Sequence, residues 1–224
     1  TIDVESKDVA KVNQFYGALY RASFLPREMS DADGGYPSFA KGEHKYNEAC
    51  NVNGFDGNAD MDETDMVAED TVVVDTVAVD DDNWPLTYGD FSMWDIYRAE
   101  LPLYNIITPT LSGDMMQSLV NMYKEGGWMP IFPCWNSYTA AMIGDHSGVA
   151  LADAYVKGIR NFDVMKAYEG MRKNAFESPK TFEEYKNGMG RRALNSYLKY
   201  GYIPMEDSVK EAFHTNEQTS RTLE

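Results

Sequence analysis

The residues with the clearest chemical potential lie between Gly89 and Leu103, in the sequence GDFSMWDIYRAELPL. Two large aromatic rings and three charged groups occur there within seven consecutive positions: Trp94, Asp95, Tyr97, Arg98 and Glu100. Sugars offer flat C–H faces to aromatic rings, and they offer hydroxyl groups to carboxylates and guanidinium groups. The segment therefore predicts the wall of a sugar-binding site, with Asp95, Arg98 and Glu100 as its polar contacts.

Each of these charged residues also has a purely structural interpretation. Asp95 follows Ser92 by three residues, which is the spacing of a helix capping box, and its carboxylate would then bind a backbone N–H group. Arg98 and Glu100 could form an internal ion pair that never meets a substrate. The sequence alone leaves both interpretations open.

A second candidate group starts a predicted helix in the sequence MIGDHS, from Met142 to Ser147. It places a carboxylate, Asp145, beside an imidazole, His146, and such a pair can bind hydroxyl groups or move a proton. An N-cap aspartate beside a histidine with satisfied hydrogen bonds is the more common arrangement. We keep His146 as a substrate-binding candidate and assign neither a catalytic residue nor a metal ligand.

A third group of interest is the aromatic and proline-rich join from Trp128 to Tyr138. Its rings, those of Trp128, Trp135 and Tyr138, could anchor the loop in the core or present flat faces to a sugar. Counting aromatic residues does not distinguish these roles.

The overall charge excludes some partners. The chain of 224 residues has a formal net charge of −16, which argues against nucleic acid because phosphates demand a basic surface. No apolar run approaches the roughly 20 residues of a membrane span. The acidity is concentrated between Lys45 and Arg98, where neither lysine nor arginine occurs.

Most of that acidic stretch is predicted to be an insertion, residues 47–88, that forms a β-hairpin or remains disordered. Asp56, Asn58, Asp60 and Asp62 alternate like the ligands of a calcium loop, but Met61 replaces the glycine such a loop needs. An EF-hand is therefore not expected. The two cysteines, Cys50 and Cys134, are compatible with a disulfide or with two buried thiols.

Amphipathic helices are predicted through the rest of the chain. Their expected bounds are Asp8 to Phe24, Ser92 to Ile107 with a kink at Pro102, Ser112 to Gly126, His146 to Lys157, a helix capped by Asp163, and Arg191 to Tyr200. Helices joined by connections of varied length favour an all-α array, in which the long joins build a site at one end.

Three regions follow from this pattern: residues 1–46 with the first helix, the acidic insertion 47–88, and residues 89–224 with the remaining helices. The final sequence, SRTLE from Ser220 to Glu224, is typical of the first turn of a further helix. The expectation is that the chain is a fragment of a larger domain.

Several of these blocks together resemble glycoside hydrolase family 92. The matching stretches are FYGALYR from Phe15, DADGGY from Asp31, FSMWDIYRAELPL from Phe91, GGWMPIF from Gly126, MIGDHSGVALADAYVKGI from Met142, YLKYGYIP from Tyr197 and the final SRTLE. They occur in the family's order and cover most of the chain outside the acidic insertion, which departs from the family's usual spacing.

The resemblance implies an exo-acting α-mannosidase, often specific for α-1,2 links, with an N-terminal β-sandwich followed by an (α/α)6 toroid. It implies inversion at the anomeric centre, with calcium as cofactor and mannose-containing glycans as substrates. Asp95 would hold the terminal mannose, while Arg98, Glu100 and His146 would shape its pocket. The general acid, the base and the calcium ligands would lie in later motifs outside this chain, so that the chain alone would be inactive.

A secreted or extracellular location, periplasmic in a bacterium, goes with this expectation. Two rival functions remain at this stage. One is an (α/α)6 glycosidase for another sugar, and the other is a non-catalytic assembly or binding module with an acidic, calcium-dependent surface.

Overall fold

The computed structural model describes residues 2–32, 34–41, 44–46, 86–142, 144–191 and 193–204. Eight α-helices occur in these ranges: α1 Val9–Ala22, α2 Met93–Ile96, α3 Glu100–Ile107, α4 Pro109–Gly126, α5 His146–Val156, α6 Val164–Phe176, α7 Phe182–Lys186 and α8 Leu194–Tyr200. The predicted helical class is confirmed. The acidic stretch 47–85 and the terminal SRTLE sequence lie outside the described residues, as does Cys50.

Within the same ranges, two small antiparallel sheets accompany the helices. Strand β1, Arg27–Glu28, pairs with β4, Tyr88–Gly89, while β2, Gly35–Pro37, pairs with β3, His44–Tyr46. Tyr88 is buried in the hydrophobic core, so the predicted boundary between residues 88 and 89 falls inside a core strand.

Helix α1 begins where the sequence predicts. The Asp8 carboxylate accepts hydrogen bonds from the backbone N–H groups of Ala10 and Lys11, at 3.1 and 3.2 Å, as an N-cap residue does. None of the residues of α1 is buried. Its predicted apolar stripe, which includes Phe15 and Tyr16 at 38% exposure each, is therefore only partly covered by the part of the chain that the structure describes.

The predicted helix from Ser92 to Ile107 is two helices, and its break is not at Pro102. The interruption lies at residues 97–99, between α2 and α3, where Ala99 has φ −137°. Pro102 stands in the first turn of α3, where a backbone N–H has no intrahelical acceptor, so proline costs little there. The prediction of a kink at Pro102 was wrong for this reason.

Helix α4 forms the centre of the core, and it packs against α3, α5, α6 and β4. It begins at Pro109, in the N1 position that suits proline, rather than at the predicted cap Ser112. Ser112 instead lies buried inside the helix and donates its hydroxyl proton to the side-chain oxygen of Asn105. Gly127, with φ +85°, closes the helix as predicted.

The later helices largely follow their predicted capping residues. Asp163 caps α6 by accepting a hydrogen bond from the Lys166 backbone N–H at 2.9 Å, and Gly201 closes α8 with φ +75°. Helix α8 starts at Leu194 instead of Arg191, and the five-residue α7 was not predicted. Within the described ranges, no helix is both long enough and apolar enough to cross a membrane.

Candidate functional site

Asp95 is held at the surface by a short helix whose other side is buried. Phe91, Met93 and Ile96 are fully or almost fully enclosed in the core, and they fix α2 so that Asp95 faces solvent. The Ser92 hydroxyl donates to the Asp95 carboxylate at 2.7 Å and makes no bond to the backbone. The capping box that the spacing of Ser92 and Asp95 allowed is therefore not formed through the Ser92 side chain, and the exposed Asp95 carboxylate is accessible to a ligand.

Arg98 lies over the aromatic rings of the same segment. Its guanidinium carbon is 4.1 Å from the ring centroid of Trp94 and 4.7 Å from that of Tyr97, and it donates a hydrogen bond to the Trp94 carbonyl. These cation–π contacts orient the charge without neutralising it. Among the ion pairs of the described residues, none joins Arg98 to Glu100.

Glu100 is the first residue of α3 and is half-buried. Its Oε1 atom is shielded from solvent and has no hydrogen-bond partner in the described part of the chain. Burial raises the pKa of this carboxyl to about 7, and the nearby negative charge of Asp95 adds to the effect. Near neutral pH the Glu100 side chain can therefore keep its proton and donate it in a hydrogen bond.

The His146 ring lies against the ring of Tyr97, in the segment between α2 and α3. The two rings stack with their centroids 3.8 Å apart and an angle of 4° between their planes. His146 is only 5% exposed, and it occupies the first position of α5 as the sequence predicts. The stack joins the two sequence blocks that carry the site candidates, although it leaves the imidazole behind Tyr97 rather than open to solvent.

The imidazole of His146 lies so close to the backbone of residue 144 that this residue must be a glycine. Gly144 has φ +82°, and a Cβ atom added there would lie 2.2 Å from Nε2 of His146. Any other residue would meet both the backbone strain of the left-handed region and a steric clash. Sequence reasoning did not single out Gly144 or the stacking role of Tyr97, and the glycine two residues before the histidine was the available signal.

Asp145 occupies the N-cap position of α5, but its side chain does not cap the helix. One carboxylate oxygen pairs with Nε of Arg191 at 3.0 Å, and the other accepts a bond from Nδ2 of Asn174 at 3.3 Å. The carboxylate thus ties the start of α5 to α6 and to the segment before α8. The alternative in which Asp145 and His146 act as a proton-transfer pair has no support in these contacts, because both Asp145 oxygens are bound by other side chains.

The three aromatic residues of the join have different environments. Trp128 and Tyr138 are buried, at 4% and 7% exposure, and the Tyr138 hydroxyl donates to the Trp128 carbonyl at 2.7 Å while accepting from its N–H at 3.0 Å. These two residues are loop anchors. Trp135 is 85% exposed.

Trp135 lies in a tight two-residue turn with unusual backbone angles. Cys134 and Ser137 exchange two backbone hydrogen bonds of 3.1 Å across it. Between them Trp135 and Asn136 have φ +52° and +54°, the signs required by a type I′ turn. The left-handed conformation costs a residue with a Cβ about 1–2 kcal/mol.

The described residues contain no group of three or more His, Cys, Asp or Glu side chains that could hold a metal ion. The resemblance expects the calcium ligands in later motifs outside this chain, and the calcium ion stays a prediction. The alternating acids from Asp56 to Asp62 lie outside the described residues.

Cys134 is half-buried, and burial raises the pKa of its thiol.

The architecture matches solved mannosidases. A family GH92 α-mannosidase from Bacteroides thetaiotaomicron superposes with a TM-score of 0.65, at 24% identity, over 95% of this chain and 22% of its own. The same enzyme in complex with mannoimidazole gives a TM-score of 0.64, at 24% identity, over 90% of this chain and 20% of its own. The family GH92 inverting mannosidase of Bacteroides thetaiotaomicron VPI-5482 gives a TM-score of 0.63, at 26% identity, over 87% of this chain and 21% of its own. The chain therefore forms part of an (α/α) toroid, as predicted.

Sequence comparison gives the same family. An uncharacterized secreted glycosidase of the fungus Arthroderma benhamiae is 32% identical over 145 residues, which are 63% of this chain and 18% of that protein. The chain thus spans about a fifth of the length of these relatives. The sequence model of the family described as "Glycosyl hydrolase family 92 catalytic domain" matches residues 1–224. Because this match extends over the whole chain, the chain belongs to glycosyl hydrolase family 92.

Proposed function

We propose that this chain builds one wall of the terminal-mannose pocket in a hydrolase that releases mannose from α-mannosides. The observation that carries the proposal is the Tyr97–His146 stack, which joins the start of α5 to the segment that presents Asp95. Membership of the family supports hydrolysis of mannosides as the reaction.

Three polar groups of this wall would contact the sugar. The exposed Asp95 carboxylate accepts hydrogen bonds from sugar hydroxyl groups, and charge-assisted bonds of this kind are the stronger ones. The Arg98 guanidinium, oriented by its two rings, donates to sugar oxygens, and protonated Glu100 provides a further donor. His146 supports this wall from behind through Tyr97 rather than touching the substrate directly.

The proposed reaction is inversion at an α-1,2-linked terminal mannose. One of the similar solved structures is that of an inverting mannosidase, which supports this stereochemistry. An inverting enzyme needs one carboxylic acid to protonate the leaving oxygen and one carboxylate to activate water. In this proposal both groups, together with the calcium ligands, are supplied from outside the described residues.

The proposed partners are the remainder of the same catalytic domain and a β-sandwich preceding it, and the proposed location is extracellular. An apolar groove of about 300 Å³ runs between α5 and α6, lined by residues such as Leu151, Val164, Met165 and Met171. Further helices of the toroid would cover it, since the relatives are about five times longer than this chain. The secreted relative supports the location.

The experiment compares α-1,2-mannobiose hydrolysis by the 224-residue chain with hydrolysis by the complete catalytic domain supplied with calcium. The expected result is mannose release by the complete domain only, with β-mannose as the first anomer detected by NMR. Turnover by the isolated chain would place the catalytic acid and base within it, and faster cleavage of glucosides would overturn the assignment of mannose.

Two variants test the wall itself. Asp95→Asn keeps the size of the side chain but removes its charge, and should lower kcat/KM about ten- to hundredfold. Glu177→Gln is the matched control, because it removes one charge from an exposed residue next to the end of α6. Equal activity of the two variants would show that Asp95 does not bind the sugar.

A further inference from the structure

Trp135 is the most exposed large apolar side chain of the described residues, at 85%. An exposed indole next to a glycan-binding wall is a ligand candidate, because its flat face has no partner in this part of the molecule. Burial of the neighbouring Trp128 shows that loop anchoring is already provided by another residue.

The turn that carries Trp135 is braced from two sides. The Trp135 backbone N–H donates to Oδ1 of Asp90 at 2.6 Å, and the other oxygen of Asp90 is 3.4 Å from Nη1 of Arg27. On the other side, Nδ2 of Asn136 donates to the carbonyl groups of Pro37 and Ser38, at 3.1 and 2.8 Å. The indole is therefore presented by a fixed backbone and not by a loosely tethered loop.

Folding does not explain why tryptophan occupies this position. The turn has positive φ at both central residues, where glycine or asparagine is preferred over any residue with a large Cβ substituent. The side chain gains almost no burial in compensation. Strain and exposure at one residue, held by surrounding hydrogen bonds, indicate selection for a function.

The turn is bonded to the segment of the chain that leads into the wall. Asp90, its hydrogen-bond partner, precedes Ser92, whose hydroxyl binds Asp95. The five residues from Asp90 to Asp95 can span at most about 18 Å even when extended. The join that contains Trp135 also leads directly into His146 at the start of α5. The proposal requires a glycan held at Asp95 to reach the indole with its second or third sugar, and this limit on the separation allows it.

The geometry points to Trp135 as a stacking platform for a pyranose ring of the glycan beyond the terminal mannose. This inference rests on the proposed function and assigns the residue that selects longer substrates. A neutral ring suits the position, because the charged groups placed at this turn, Asp90 and Arg27, are paired with each other. The C–H face of the sugar packs on the indole, while the exposed edges of both remain solvated.

The experiment uses the complete catalytic domain and substrates that differ only beyond the first sugar. For Trp135→Ala, kcat/KM on α-1,2-mannotriose is expected to fall about three- to tenfold, and to stay unchanged on α-mannosyl fluoride, which lacks a second sugar. Trp135→Tyr, which keeps an aromatic face, should retain most of the activity on mannotriose. Phe176→Ala is the control, since this aromatic residue is also strongly exposed but ends α6, far along the chain from the wall.

Affinity measured by calorimetry separates this inference from the proposed function. If the wild-type domain hydrolyses no mannoside, the proposed function fails, and the affinities for mannotriose and methyl α-mannoside still decide the role of Trp135. Weaker binding of mannotriose alone by Trp135→Ala supports the platform. The platform would be overturned if Trp135→Ala lost affinity equally for both ligands or for neither. It would also be overturned by a lowered melting temperature in both Trp135 variants, because this would show that the indole packs against another part of the protein.

Discussion

Replacing Glu100 with glutamine tests whether this carboxyl is held in its protonated form by its surroundings. A rise in pKa from 4.5 to about 7 corresponds to about 3 kcal/mol of destabilisation once the group is ionised. Because Glu100 is only half-buried, solvent screening reduces this to about 1–2 kcal/mol. Glutamine has the same shape and never ionises, so the variant should avoid that cost.

The sign of the effect depends on pH. Below pH 4.5 the carboxyl is protonated in both the folded and the unfolded chain, and the substitution should change stability little. As pH rises from 4.5 through 7, the unfolded chain ionises first and the folded state loses relative stability. Glu100→Gln should therefore be more stable than the wild type at pH 8, by about 1–2 kcal/mol.

Thermal unfolding at pH 4.5 and pH 8 measures this difference. For a protein of this size, about 1 kcal/mol corresponds to about 2–4 °C in Tm. Glu177→Gln serves as control for the general loss of one negative charge from an acidic protein. A Tm difference that is the same at both pH values, or a variant that is less stable at pH 8, would refute the assignment of a desolvated, protonated Glu100.

Three further predictions concern four substitutions. In a double-mutant cycle with Tyr97→Leu and His146→Leu, the stacking energy should be about 0.5–1.5 kcal/mol, and urea unfolding of the four proteins measures it. Gly144→Ala should destabilise by at least about 1–2 kcal/mol from its positive φ alone and should raise KM for mannosides by displacing His146; an unchanged KM would contradict the link. Trp135→Gly should raise stability by about 1 kcal/mol by relieving the left-handed strain, whereas a lower Tm would show that the indole is held by contacts elsewhere.

The helix ends were predictable where their causes are local. Asp8 and Asp163 cap by bonds to N–H groups two or three residues away, and Gly127 and Gly201 close helices through their own backbone freedom. Such signals need no knowledge of the fold. Helix α7 belongs to the same class, because Thr181 and Glu184 bind each other's backbone N–H groups as a capping box does. The signal for this helix is present in the sequence, as a threonine followed three residues later by a glutamate.

The break between α2 and α3 has no such local cause. Tyr97, at this break, stacks on His146 in a helix that begins almost fifty positions later. Local propensity favours a continuous helix there, and tertiary packing overrides it. The same reasoning applies to Trp128 and Trp135, because their opposite burial depends on the surrounding fold and not on residue type. Single residue types therefore do not predict the site, whereas the order of whole sequence blocks along the chain identifies the family.

The carboxylate of Asp145 connects the position of His146 to distant parts of the chain. It is the neighbour of His146 in the chain, yet its two oxygens are bound by Asn174 and Arg191, residues that approach from later in the sequence. A change at Arg191 would therefore shift the imidazole without touching it and would be transmitted through Tyr97 towards the sugar. Variation in preference among related enzymes should thus be sought at this remote arginine as well as at the residues that meet the ligand.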